Sequence, residues 1–389
     1  MIIKICSLGR GGKWEEALEV LRVQQQATGT VGTVLAMRGR RVARDRGQRS
    51  KSAPCRGALE KVAYNAVLSA MSKAGRWKEA LSLMREMKTR GLERDTITFS
   101  STISACGRGR KWKEALQVLE ELRSEGVPPN SFVYCSAIDA CSKGGQWQKA
   151  LQLLDEMEHL DRIEPNIRCM NSAIDACAKA GRRVEALAVL SRITRVGLKP
   201  TQVSFLSAIS ACAKAADSRG ALRLLGEMVD AGVTPDTKCY SSAISACGTE
   251  GRWQQAMLLL DDMRAAGFEP NVACYNAAIS ACGKSRQWQR AVSLLEAMQD
   301  NGVAPDVISY NAAIDACVKS ERWPQALAMF LDMRRAAEFH KDKRANTKRV
   351  NTSRIPAPDA TSYGSAIAAC SGGKQWRLAL QLLDDMDQK

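Results

Sequence analysis

Hydrophobic positions in this chain fall into short stripes with helical spacing, and the stripes come in pairs. Between Val272 and Asp306, Tyr275, Ile279 and Cys282 stand at i, i+4 and i+7, a spacing that gathers apolar side chains on one face of an α-helix. Polar Ser285 and Arg286 follow. Trp288, Ala291, Val292, Leu295 and Met298 then form a second stripe. Gly302 ends it and Pro305 bars its continuation, since glycine terminates helices readily and proline lacks the amide that a helix needs. The pattern predicts two helices of roughly 12 residues joined by a tight turn, an αα-hairpin.

The pair recurs along the chain. Cys106, Cys141, Cys177, Cys212, Cys247, Cys282 and Cys317 end successive first stripes at spacings of 35, 36, 35, 35, 35 and 35 residues, and Cys370 follows after 53. A period of about 20 to 50 residues marks a stack of like units rather than one conventional core. A single hairpin cannot bury its own stripe, whereas stacked neighbours can. The repeats frame as 61–95, 96–130, 131–166, 167–201, 202–236, 237–271, 272–306, 307–359 with an inserted loop at 336–355, and a partial 360–389. The expected fold class is all-α, a superhelical solenoid of helix-turn-helix repeats with strand content near zero. Residues 1–24 read as a degenerate partial repeat, because Cys6, Trp14, Ala17, Leu18 and Leu21 echo the later stripes. The chain thus reads as beginning inside an array. Residues 25–60 read as a basic, disordered insertion.

Charge changes this picture only locally. The formal net charge is +16, but residues 38–61 carry a net +7 and residues 336–355 a net +4. These irregular segments hold most of the excess, so basicity favours a polyanionic partner without locating its face. Residues 37–58 share the Arg-rich composition of a transit peptide but lie downstream of repeat-like sequence. Of 14 cysteines, nine (Cys6, the seven above and Cys370) occupy one position of the apolar stripe, where Met71 stands in the repeat 61–95. Free cysteine behaves there as a small buried hydrophobe. There is no C-x-x-C, and His159 and His340 are the only histidines. Neither a metal site nor a disulfide framework is expected, and a reducing compartment follows. No apolar run approaches the roughly 18 residues of a membrane span.

Several motifs together resemble pentatricopeptide repeats over roughly residues 61–389. They are the period of 35, the opening Tyr-Asn or Tyr-Ser, the Ala-Leu-x-Leu-Leu-x-x-Met of the second helix and the closing Gly-Val-x-Pro-Asp. One departure is a tryptophan ahead of the Ala-Leu pair: Trp77, Trp112, Trp147, Trp253, Trp288, Trp323 and Trp376, replaced by Arg183 and Ser218 in two repeats. Its regular recurrence reads as inter-helix packing rather than base stacking.

The resemblance implies a right-handed α-solenoid superhelix whose first helices line a groove for single-stranded RNA, one base per repeat. In it the fifth residue of a repeat meets the base edge, the last residue assists, and the second packs on base faces. Carried over, Asn65 with Asp95, Asn276 with Asp306 and Asn311 with Asp359 imply uracil. Ser100 with Asn130 and Ser241 with Asn271 imply adenine, and Asn171 with Thr201 a pyrimidine. Cys135 with Asn166 has no clear reading, Leu206 beside Asp236 cannot hydrogen-bond a base, and Gly364 has no partner residue. Val62, Ile97, Phe132, Val203 and Ile308 would sandwich bases, with Arg168 and Lys238 adding charge. The implied order is U-A-N-Y-N-A-U-U. The chemistry suits the task, because one amide carries both a donor and an acceptor for a Watson–Crick edge.

No H-x-E with P-C-x-x-C is present, so catalysis, a cofactor and a small-molecule substrate are not expected. The resemblance implies action in a mitochondrion or plastid, in RNA processing, stabilisation or translation. The alternative is a protein–protein interaction scaffold built on the same solenoid.

Overall fold

Most repeats build their hairpin from the same local signals. An Asp, Asn or Thr opens the first helix, and a glycine with positive φ follows the second, as at Gly126 (69°), Gly232 (71°) and Gly302 (72°). That left-handed conformation is open to glycine at little steric cost. A computed structural model describes residues 14–23, 54–342 and 355–387, and all regular structure among them is helical.

The chain divides into two compact parts, Met1–Ala180 with Ser191–Lys199 and Gly181–Leu190 with Pro200–Lys389. The first part holds the first helices Pro54–Ala74, Thr96–Arg108, Ser131–Lys143 and Ile167–Lys179, and the second helices Trp77–Thr89, Trp112–Ser124 and Trp147–His159. The second part holds the first helices Gln202–Lys214, Thr237–Glu250, Val272–Lys284, Val307–Lys319 and Ala360–Gly372. Its second helices are Ser218–Asp230, Trp253–Ala265, Trp288–Asp300, Trp323–Asp342 and Trp376–Asp387. Within each part, a first helix packs on its own second helix and on the next first helix, and each second helix packs on the first helix that follows. The result is an α-solenoid of helical hairpins.

The core is the set of stripes read from the sequence. Tyr275, Ile279, Cys282, Ala291 and Met298 are all fully buried, each large side chain contributing about 1.5–3 kcal/mol. The cysteines from Cys106 to Cys370 at the recurring position are likewise buried, and burial pushes the Cys282 thiol up to about 11. Cys6 lies outside the described residues. Small side chains let neighbouring first helices approach closely: a Cβ on Gly107 would stand 3.0 Å from that of Ala140, and one on Gly283 3.2 Å from that of Ala316.

Trp77, Trp112 and Trp323 pack between hairpins. The Trp77 ring lies against Gly109 and the Trp112 ring against Gly144, each so close that a Cβ on the glycine would come within 2.4 Å. Basic side chains of the following repeat cover the rings, Lys111 over Trp77 and Arg290 over Trp253 at 5.3 and 4.4 Å, as cation–π attraction favours. Where tryptophan is replaced, polar contacts take over its role. Arg183 pairs with Asp217 at 2.5 Å, and the Ser218 hydroxyl donates to Glu250 at 2.7 Å.

Three features differ from expectation. The helix Pro54–Ala74 begins inside the segment read as the 25–60 insertion, proline being well suited to a first helical turn. The helix Trp323–Asp342 runs into the segment read as the 336–355 loop, because Ala337 stands where Gly302 ends the equivalent helix and alanine favours continuation. Residues 343–354 lie outside the described residues. Finally, against the expectation of free thiols, Cys135 and Cys169 form a disulfide between the first helices Ser131–Lys143 and Ile167–Lys179, with Cα atoms 4.6 Å apart. Upstream, helix 14–23 buries Ala17 and Leu21 in one cluster with Tyr64, Leu68 and Leu83; residues 24–53 are outside the described ones.

The tryptophan seat predicts a contrast between two glycines. Gly109→Ala forces a methyl into the Trp77 ring and should destabilise the fold by about 1–3 kcal/mol. Gly226→Ala, at an open mid-helix position, should stabilise it by about 0.5–1 kcal/mol. Urea midpoints of the two variants, moving in opposite directions, check the assignment.

Candidate nucleic-acid interface

The last residue of each repeat sits at the N-cap of the next first helix, where backbone N–H groups have no helical partner. Asp95 accepts from the amides of Ile97 and Thr98 at 3.1 and 3.0 Å, and Asp306 from that of Ser309 at 2.8 Å. Asn130, Asn166, Thr201, Asp236, Asn271 and Asp359 cap their helices in the same way. Thr98, Ser309 and Ser362 close reciprocal capping boxes, their hydroxyls accepting from the N-cap amides.

Onto this cap the fifth residue of the preceding repeat folds its side chain. Asn65, Asn276 and Asn311 each donate from Nδ2 to the cap carboxylate of Asp95, Asp306 and Asp359, every time at 3.1 Å. Their Oδ1 atoms accept from the hydroxyls of Thr98, Ser309 and Ser362 at 2.7, 2.6 and 2.6 Å. A carboxylate can only accept, so it fixes which end of the amide faces it. After these bonds each amide retains one N–H and one acceptor lone pair for an outside partner. The same triad occurs in both compact parts.

Burial raises the Asp95, Asp306 and Asp359 carboxyls, but the amide, hydroxyl and asparagine donors outweigh it and hold them below the usual carboxylate range. Lys61 adds an ion pair to Asp95 at 3.2 Å. The triads are therefore ionised and fixed at neutral pH.

The other pairs are built differently. Ser100 donates to the Ile97 carbonyl of its own helix at 3.2 Å while Asn130 caps the next. Ser241 and Leu206 are half-buried near the helix start. Asn171 belongs to the first compact part and Thr201 to the second. Cys135 Sγ lies 3.3 Å from Asn166 Oδ1 as well as within the disulfide.

The second position is exposed in all nine repeats from Val62 to Thr361. Where it is a large apolar residue, at Val62, Ile97, Phe132, Val203 and Ile308, exposure is 48–64%. Single exposed hydrophobics are ordinary on a protein surface; here they recur at one position of the repeat. The third-position hydroxyls of Thr98, Ser309 and Ser362 were missed by the sequence reading. The pattern Asp-x-x-Ser or Asp-x-x-Thr at these three repeat junctions was the signal in the sequence. No group of three His, Cys, Asp or Glu suited to a metal occurs among the described residues.

Residues 60–108, 94–143, 239–284 and 270–319 match the PPR repeat family, residues 152–215 the pentatricopeptide repeat domain, and residues 132–161, 203–233 and 308–336 the PPR repeat. This chain belongs to the pentatricopeptide repeat family. Among solved structures, the pentatricopeptide repeat protein PPR10 in complex with an 18-nt psaJ RNA element is similar at 20% identity and a TM-score of 0.58. The match covers 99% of this chain and 54% of that one, so this chain spans about half its length. The PPR domain of Arabidopsis thaliana protein-only RNase P 1, solved with tRNA, gives 16% identity and a TM-score of 0.40 over 44% of this chain and 90% of that one. No curated protein matches in sequence.

The capping role of the last residue carries a stability prediction. Asp306→Ala should cost about 0.5–2 kcal/mol, and Asp306→Asn, which can still cap, clearly less. The Asp306 carboxyl is lower in the folded than in the unfolded chain. Its contribution is therefore present above the ordinary value of about 3.9 and is lost as pH falls through the folded value. Denaturant midpoints at pH 7 should separate parent from Asp306→Ala, and the gap should close at strongly acidic pH.

Proposed function

We propose that this chain binds single-stranded RNA sequence-selectively through its first helices, one base per repeat. The observation that carries the reading is the threefold repetition of the Asn–Asp–hydroxyl triad with one N–H and one lone pair left over. A uracil edge offers an N–H and carbonyl oxygens, the complement of that pair. The exposed second-position row would stack on the base faces, at about 1–3 kcal/mol per base. That PPR10 is solved with an RNA element supports the same reading.

On this reading Asn65, Asn276 and Asn311 select uracil with their aspartates, and Ser100 and Ser241 select adenine with Asn130 and Asn271. The serine hydroxyl leaves room for a purine. The chain contributes binding rather than catalysis, and its setting is organellar RNA processing, stabilisation or translation in a mitochondrion or plastid.

The test is binding to RNA containing UAUCUAUU, a scrambled RNA and the matching DNA at about 150 mM salt, where exposed ionic contacts are screened. The predicted RNA should bind about tenfold or more tightly than either control, and Asn276→Ser combined with Asp306→Asn, which recreates the Ser241–Asn271 pair, should move the seventh preference from U towards A. Equal weak binding to all three would sink the reading and favour a protein partner for the solenoid.

A further inference from the structure

The register that builds the triads places the fifth residue of one repeat against the third residue of the next. At Asn65, Asn276 and Asn311 the third residue is Thr98, Ser309 or Ser362, and the contact is a hydrogen bond. At one junction both positions are cysteine. Cys135 is the fifth residue of its repeat, and Cys169 is the third of the next. Elsewhere a third-position cysteine follows a residue unable to form a disulfide with it, Cys239 following Leu206 and Cys274 following Ser241.

Cys135 Sγ also lies 3.3 Å from Asn166 Oδ1, the cap of the next helix. As a thiol it would donate to Asn166, just as Asn65 donates to Asp95. As a disulfide it has no hydrogen to give, and Asn166 keeps only its bond from the Cys169 amide at 3.0 Å. One sulfur stands between two partners and serves one at a time.

We propose that Cys135 and Cys169 form a reversible thiol–disulfide site that switches base recognition by the repeat 131–166. The proposal rests on the RNA-binding reading above. Reduced, the Cys135 thiol faces a base with Asn166 as its assistant. Oxidised, the sulfur is held against the neighbouring helix and the repeat loses its recognition group.

The oxidant is a low-molecular-weight disulfide of the glutathione class. The Cys135 thiolate, 4% exposed where Cys169 is fully buried, attacks one sulfur of that disulfide and expels the first small thiol. Cys169, deprotonated in turn, attacks Cys135 Sγ in the mixed disulfide and expels the second. Two electrons pass from the protein to the small disulfide, and the two protein protons leave with its two thiols. Reduction runs the same steps backwards. The Cα separation of 4.6 Å lies in the range a disulfide spans without backbone movement.

Linkage makes the switch measurable from two sides. Any factor by which oxidation weakens RNA binding must equal the factor by which bound RNA disfavours oxidation. The full chain is equilibrated in glutathione buffers of graded ratio, with and without the UAUCUAUU RNA. Differential alkylation and mass spectrometry then give the oxidised fraction of the pair. In parallel, the affinities of fully reduced and fully oxidised chain are measured for this RNA and for its three variants at the third base.

The reduced chain should bind about fivefold or more tightly and discriminate at the third base. The oxidised chain should treat all four bases alike there, and RNA should shift the glutathione midpoint by the same factor. Cys169→Ser and Cys135→Ser should each bind independently of redox state, with circular dichroism confirming that they fold. Affinity and base preference identical in both states would overturn the switch alone and leave the pair a structural cross-link. Loss of all RNA selectivity in both states would overturn the RNA-binding reading and the switch with it.

Discussion

Two first helices can lie side by side at this spacing only where neither carries bulk at the contact. Gly107 against Ala140 and Gly283 against Ala316 meet that condition with little room to spare. Close approach fixes a register, because sliding one helix along the other would drive a larger side chain into the same gap. Everything at the candidate interface follows from that register. It brings a fifth residue within hydrogen-bond reach of the next cap and the next third residue, and it brings Cys135 to Cys169.

Much of the fold was legible in the sequence, because a hairpin's helices are encoded within one period. Tyr275, Ile279 and Cys282 announce a buried face with no knowledge of neighbours, and Gly302 announces where a helix stops. The absence of a glycine at Ala337 was equally visible and explains why one second helix runs on. The partners across hairpins were not legible. Periodicity shows that Thr98, Ser309 and Ser362 are equivalent positions, but not which position of the preceding repeat they face. The replacement of tryptophan by Arg183 and Ser218 could be read as a gap. Only the packed neighbours supplied Asp217 and Glu250 as the compensating contacts.

The candidate site was legible in part for a related reason. The alternation of Asn and Ser at one position, and of Asp and Asn at another, was plain. The second alternation also has a local cause: Asp and Asn are both good helix caps, so their presence is required by the helix whatever lies in the groove. What a cap alone does not require is an asparagine on the previous repeat aimed at it. The shared 3.1 Å contact in three repeats is therefore the more telling part of the pair.

The cap also limits how such a stack can diversify. A residue at the last position must accept from amide hydrogens before it can do anything else, which leaves Asp, Asn, Thr, Ser and little more. The fifth position carries no such duty, and Asn, Ser, Cys, Leu and Gly all occur there. Variation is thus unequal between two neighbouring places, one held to a small alphabet by helix chemistry and the other free to drift. New side-chain chemistry in this array would arise first at the fifth position, with the last position drawing from a vocabulary the backbone has already chosen.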